Sequence, residues 1–238
     1  MQKREDPSEP FKHALTQATR SLSEEPELEV TFSTDPPRLQ GHEMRLPLPS
    51  RDMPAEEVAR IRGQADAFAL RISHHDDATN ARYQPVGSNA RAIFAALEQT
   101  RIECIGTKVM RGVSENLAAM IEHRCVQKGM ARIDDLQEAP IEDVVALLVR
   151  ERITGQAPPP SARRVVDALR ADLESQCGAT LDRFAAQLGN QSAFAQVTRQ
   201  LISDLDFADE LGQDPDAAEA SAETAPEDSE ETDPQDMA

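Results

Sequence analysis

The stretch "RISHHDD", Arg71 to Asp77, carries the side chains whose types come nearest to chemistry. His74, His75, Asp76 and Asp77 are imidazole and carboxylate donors of the kinds that ligate transition metals. The preceding residues read as a helix, on which adjacent side chains point about 100° apart. His74 and His75 therefore cannot share one ion there. The usable pairs are His74 with Asp77 and Asp76 with Asn80, and each offers only two ligands where a transition-metal site takes three or four. The competing reading is a polar helix end, where imidazoles interact favourably with the last carbonyls. The spacing favours that structural reading. It assigns no catalytic or cofactor residue, and it leaves His74, His75, Asp76 and Asp77 as the candidates for any metal role.

No other motif supplies a stronger site. There is no GxxxxGK[ST] loop, so the chain alone is expected neither to bind nor to hydrolyse ATP. GxGxxG, GxSxG, HExxH and DxSxS are absent as well. Cys104, Cys125 and Cys177 are far apart and outside any CxxC spacing. They read as small buried hydrophobes in a reducing compartment rather than as zinc ligands or disulfides.

The elements that must position these residues are mostly helices. Aromatic residues make up 3% of the chain, so the core has to rest on aliphatic side chains, a composition that favours helix over strand. Phe11 to Ser23 has a helical stripe. "ELEVTFS" then alternates Leu28, Val30 and Phe32 with polar residues, the mark of a half-buried strand. "DPPRLQG" breaks it, and "HEMRLPLP" offers a second extended segment that Pro47 and Pro49 confine to an edge. A small hairpin between Leu28–Phe32 and Met44–Leu46 is the expectation. Beyond it the period is 3.6. A helix starts after Asp52 as N-cap, a second after Ser88 with Ile93, Phe94, Leu97 and Ile105 buried, and a third runs from Val113 until Gly129 stops it. "PIEDVVALLVRERITG" places Ile141, Val144, Val145, Leu148 and Val149 on one stripe before Gly155. Ser161 is the expected cap of the next helix, and further helical segments cover Leu181–Leu188 and Asn190–Leu205.

The fold class is thus mainly α: a multi-helix domain with a small N-terminal β-hairpin and a disordered acidic C-terminal tail. Residues 1–10 read as a disordered N-terminus, 11–211 as the helical module and 212–238 as an acidic tail or linker. Net charge is −18, and twelve acidic residues without one Lys or Arg fall from Asp209 onward, leaving −6 for residues 1–208. Phosphate binding needs clustered Lys and Arg, so nucleic acid is not an expected partner. The longest aliphatic run, Val144 to Val149, is too short for a bilayer, and the N-terminus has no apolar leader segment. A cytoplasmic protein without membrane contact is expected.

Three stretches in order, "ELEVTF" with "RLPLP", then "ARAIFAALEQTRIECIG", then "VVALLVRERITGQAPP", resemble one family. It is the T subunit (CobT) of the aerobic, ATP-dependent cobaltochelatase. "HD" at His75–Asp76 and "PVGSNARAIF" fit the same pattern. The resemblance covers Phe11 to Leu205 and is to the family's N-terminal part, without its von Willebrand factor A domain. It implies a ligase that inserts cobalt into hydrogenobyrinic acid a,c-diamide in cobalamin biosynthesis. An AAA+ ATPase subunit and a large corrinoid-binding subunit would be the partners. Cobalt and ATP with Mg2+ would be used by the assembled complex, with no cofactor held by this chain. Family members often carry a further histidine near Asn80, so its absence weakens a metal-handoff role. Two other readings fit the bare composition: an acidic adaptor unrelated to cobalt, and a weak cobalt-delivery protein using His74, His75 and the tail.

Overall fold

In the computed structural model of the chain, residues 8–216 are described. Nine α-helices and three short strands make up this region: α1 (Ser8–Ser23), β1 (Glu29–Ser33), β2 (Arg38–Gln40), β3 (Glu43–Pro47), α2 (Ala55–His74), α3 (Asp77–Tyr83), α4 (Ser88–Val109), α5 (Arg111–Gln127), α6 (Ile141–Thr154), α7 (Pro160–Leu181), α8 (Phe184–Gln187) and α9 (Gln191–Asp204). The expected mainly α fold with a small N-terminal β element is what the structure has. Helix α1 begins at Ser8, inside the stretch read as a disordered N-terminus. Among the described residues no helix is long and apolar enough to cross a membrane.

The sheet differs from the expected simple hairpin. Its order is β1-β3-β2. Strand β1 does meet β3, with Val30 opposite Met44 and Phe32 opposite Leu46, but the two run parallel. The hairpin is β2–β3, antiparallel with Leu39 opposite Met44. The physical reason is the tight turn at Gly41, φ 56°, and His42, which pairs β3 with β2 first and leaves only its other side for β1. Strand β3 is therefore central, not an edge. Pro47 is tolerated because it is the strand's last residue, and the next amide, Leu48 N–H, closes on Ser33 O.

Two apolar clusters meet across α2. Ile61 and Ala65 pack with Leu15 of α1 and with Leu28, Met44 and Leu46 beside the sheet. Ala67 and Leu70 belong to the main core with α4 to α9. Helix α5 lies so close to α2 that a Cβ on Gly63 would collide with Asn116 O. Helix α4 is the central post, in contact with α2, α5, α6 and α9. Burial therefore extends all round it, taking in Glu98, Thr100, Arg101 and Glu103 as well as Ile93, Phe94 and Leu97, whereas Ile105 is only half-buried.

Helix ends correct three expected caps. Helix α2 starts after Pro54 rather than Asp52, next to Met53 at φ 41°. Helix α7 starts after Pro159, and the Ser161 hydroxyl instead donates to Glu122 Oε2 at 3.1 Å. Helix α4 follows Gly87, which has no side chain to cap with. Glu210, far along the chain, does that work: its Oε2 accepts from Ala90 N–H at 2.8 Å and its Oε1 from Asn89 Nδ2 at 2.8 Å. Gly129 and Gly155 end their helices in the left-handed region as read from the sequence, φ 68° and 72°.

The packed region also runs past the boundary expected at 211. Asp216 accepts from Arg82 and the Tyr83 hydroxyl, each at 2.9 Å, and from Gln196 Nε2 at 2.7 Å. Residues 1–7 and 217–238, including most of the expected tail, lie outside the described residues. The three cysteines are buried and free. Burial pushes the Cys104 thiol up to about 12, and the Cys125 and Cys177 thiols up to about 11, which makes them poor nucleophiles.

Candidate functional site

The His74–Asp77 stretch does not sit on one helix. Helix α2 ends at His74, His75 is extended at φ −109°, and Asp76 is the N-cap of α3, its carboxylate accepting from Thr79 N–H at 2.6 Å. That bond holds the Asp76 carboxyl below its ordinary range. The i, i+3 pairing expected for His74 and Asp77 therefore fails, because the chain turns between them. A junction forms instead, and His75 is the residue that turns inward.

The His75 side chain is 4% exposed, and both ring nitrogens are engaged. Nδ1 lies 2.7 Å from Glu98 Oε1, and Nε2 lies 3.0 Å from the Arg71 guanidinium. Arginine can only donate, so Nε2 accepts from it and Nδ1–H donates to Glu98. Asp77 Oδ1 approaches Nε2 at 3.2 Å from the solvent side. Glu98 is gripped from its other side by Arg101, whose Nε donates to Oε2 at 2.8 Å and whose second nitrogen donates to Oε1 at 2.9 Å. Burial alone would raise the Glu98 carboxyl. The bonds from Arg101 and His75 outweigh it and hold the group below the ordinary carboxylate range.

Arg101 also closes the junction from beneath. It donates to His74 O at 2.5 Å and to Leu188 O at 3.4 Å. Gln191, at the start of α9, exchanges two bonds with the Asp76 backbone, accepting from its N–H at 2.8 Å and donating to its carbonyl at 2.9 Å. The α2–α3 turn is thus tied to α4 and α9 through groups that satisfy one another. His74 points away, exposed, with its imidazole pushed down by burial and by Arg101.

These contacts leave little valence for an ion. Among the described residues, no group of three or more His, Cys, Asp or Glu side chains is placed to hold a metal. An open cleft of about 610 Å3 does border the junction, lined by His74, Arg101, Lys108, Val109 and Leu188 among others. The groups that face it are mainly hydrogen-bonded or apolar, so the arrangement can brace four helices, α2, α3, α4 and α9, but holds no free acid–base pair.

The family model for cobalamin biosynthesis protein CobT matches residues 5–238. The chain belongs to that family. No solved structure matches it. Membership of the CobT family ties the chain to cobalamin biosynthesis.

Within this CobT-family module, sequence reasoning singled out His75 but missed its partners Glu98, Arg101, Arg71 and Gln191. A signal for two of them was available. "LEQTR" places Glu98 and Arg101 three apart in a helix whose apolar residues leave no clean polar face, as expected of a helix surrounded by others.

Proposed function

We propose that this chain is a non-catalytic subunit of an ATP-dependent cobaltochelatase, the ligase that inserts cobalt into hydrogenobyrinic acid a,c-diamide. In this reading it partners an AAA+ ATPase subunit and a large corrinoid-binding subunit. The observation that carries the reading is the CobT match over residues 5–238. The absence of a phosphate-cradling motif from the sequence agrees with nucleotide hydrolysis by another chain. The engaged state of His75, Glu98 and Arg101 agrees with a role in holding shape rather than in bond making. Cobalt is the substrate of the assembled enzyme and is not assigned to a site here.

The test is reconstitution. The purified chain is combined with the ATPase and large subunits, and cobalt insertion is followed with each component omitted in turn. Insertion should need all three chains, and the ATPase should be retained on this chain in a pull-down. Full insertion without it would overturn the proposal.

A further inference from the structure

A cleft of about 800 Å3 lies between the end of the sheet and α2, α4 and α5, with Arg60, Gln64 and Gln127 in its lining. Its cations already have acids beside them: Ser50 and then Arg60 hold the Glu57 carboxyl low, and Arg124 meets Glu103 at 3.4 Å. The segment that follows α9 is of another kind, because it is fastened to the helices at the surface.

The chain leaves α9 through Asp206, a non-glycine residue at φ 65°, and passes over the α3–α4 turn as far as Asp216. None of residues 207–216 is buried, whereas Leu201, Ile202 and Leu205 just before them are. Phe207 and Leu211 rest half-buried on the core, and the remaining contacts are polar. Val86 N–H and Gly87 N–H donate to Glu210 O at 3.0 and 2.9 Å, while the Glu210 carboxylate caps α4 at Ala90 N–H. Arg199 of α9 donates to Leu211 O at 3.2 Å and to Gln213 O at 2.9 Å. Asp216 closes the far end on Tyr83 and Gln196. The bonds from Ala90 and Asn89 hold the Glu210 carboxyl below its ordinary range, and those from Gln196 and Tyr83 do the same for Asp216.

The seat is shaped for this segment. A Cβ on Gly87 would collide with the Glu210 side chain, and one on Gly212, φ 71°, would crowd Val86. A segment with few buried apolar groups and solvent-facing hydrogen bonds opens locally while the rest of a protein stays folded. Its departure would take from α4 only the partners of the first turn, since the later amides bond within the helix.

We propose that residues 207–216 are a strap that opens and closes as one unit over the α3–α4 turn, linking the chain beyond Asp216 to the N-terminal end of α4. Asp206 is its hinge. With the strap closed, Glu210 caps the central helix and Asp216 holds the end of α3. With it open, the amides of residues 86–90 and the Tyr83 hydroxyl turn to water together, while the body of α4 stays folded. A partner or load acting on the chain after Asp216 thereby reaches α4 without touching it.

The experiment uses the full chain and two readings, Tyr83 emission and amide exchange followed by NMR. Tyr83 is the only tyrosine and there is no tryptophan, so intrinsic emission reports on the surroundings of this one ring. A phenol hydrogen-bonded to a carboxylate emits weakly and brightens when the bond is lost. In Glu210→Ala, which leaves Asp216 in place, Tyr83 emission should rise at least halfway to its level in Asp216→Ala. In Asp216→Ala, exchange at the Val86 and Gly87 amides should quicken at least about threefold, although Asp216 bonds to neither. Asp209→Ala removes an exposed charge next to Glu210 and should move each reading by less than half as much. Smaller changes than these at the unmutated end of the segment would overturn the proposal, as would Asp209→Ala matching Glu210→Ala. So would exchange in residues 97–104 quickening by the same factor, since the segment would then belong to the global fold.

Discussion

The junction around His75 and the cleft beside the sheet are both polar, and they are opposites. At the junction the residues that draw the eye in the sequence are consumed by the fold: His75, Glu98 and Arg101 each find partners inside the protein. In the cleft, residues of no motif at all, Arg60, Gln64 and Gln127, make no side-chain hydrogen bond among the described residues, although Arg60 stands close enough to Glu57 to lower its carboxyl. The difference teaches that residue type alone is a poor guide to reactivity. What counts is the hydrogen-bonding capacity left after packing, and that is set by which elements lie nearby.

The contrast breaks first, and most visibly, at Glu98. Replacing it with alanine leaves the Arg101 guanidinium buried beside an orphaned His75 Nδ1–H. Removing one partner of a buried ion pair costs about 3–5 kcal/mol. Urea denaturation of Glu98→Ala should therefore show a midpoint collapse. A loss below about 1 kcal/mol would mean that water reaches the junction and that the two regions differ less than they look.

Next in size is a difference in pH dependence. Asp66 lies on α2, bonded to Asn116 of α5 at 2.8 Å, and burial pushes its carboxyl up to about 6 against the bond from Asn116 and the charge of Arg62. The folded state thus holds this proton more tightly than the unfolded chain, where an aspartate titrates near 3.9. Its contribution is fully present below about pH 4 and is lost as pH rises through about 6, on the order of 3 kcal/mol in all. Glu98 has the opposite sign. Its carboxyl is lowered, so its contribution is present above the ordinary glutamate range and is lost as pH falls through the folded value. Between pH 4 and 7 the urea midpoint of the wild type should lose ground relative to that of Asp66→Asn, which lacks this titration. An unchanged slope in that variant would show that Asp66 is solvated.

Arg60→Ala tests the other side of the contrast. An arginine that makes no hydrogen bond or ion pair and only a screened attraction to Glu57 should be removable at a cost within about 0.5 kcal/mol, apart from the packing of its methylene stem. Thermal melting checks this. A loss several times larger would mean that the guanidinium already has a partner within the protein, and the cleft would then resemble the junction.

How much of this was legible in the sequence depends on the range of the interactions. Helix α6 could be read directly, because Val144, Val145, Leu148 and Val149 repeat at helical spacing and Gly155 supplies the left-handed stop. The half-buried face of β1 followed from the alternation of Val30 and Phe32. Its parallel pairing did not, since direction depends on which strand reaches β3 first. The expected Ser88 cap was displaced by Glu210, a partner so distant in sequence that no local pattern contains it. The candidate stretch was legible as polar and helix-terminal. The inward turn of His75 was not, because it needs Glu98 and Arg101 on a helix buried from all sides. The cleft left no local trace, since its residues come from the sheet end and three helices.

The smallest effect should fall on the residue next to the one that matters most locally. His74 and His75 are chemically identical neighbours, yet only His75 is enclosed. The part of His74 that the fold uses is its backbone carbonyl, which takes the Arg101 guanidinium at 2.5 Å, and any residue supplies that carbonyl. His74→Ala removes an exposed ring, so stability should change by less than about 0.5 kcal/mol, as for surface positions away from packed features. Cobalt insertion by the reconstituted enzyme should likewise be unaltered within error. His75→Ala differs in kind, because it strips Glu98 of one donor and leaves a gap at the α2–α3 turn, where removing one partner of a buried hydrogen bond costs about 1–3 kcal/mol. The double variant should then track His75→Ala alone in the melt. If His74→Ala by itself abolished insertion while melting like the wild type, the exposed imidazole would be chemically active. The junction would then hold a working group at its surface, and the contrast with the cleft would no longer stand.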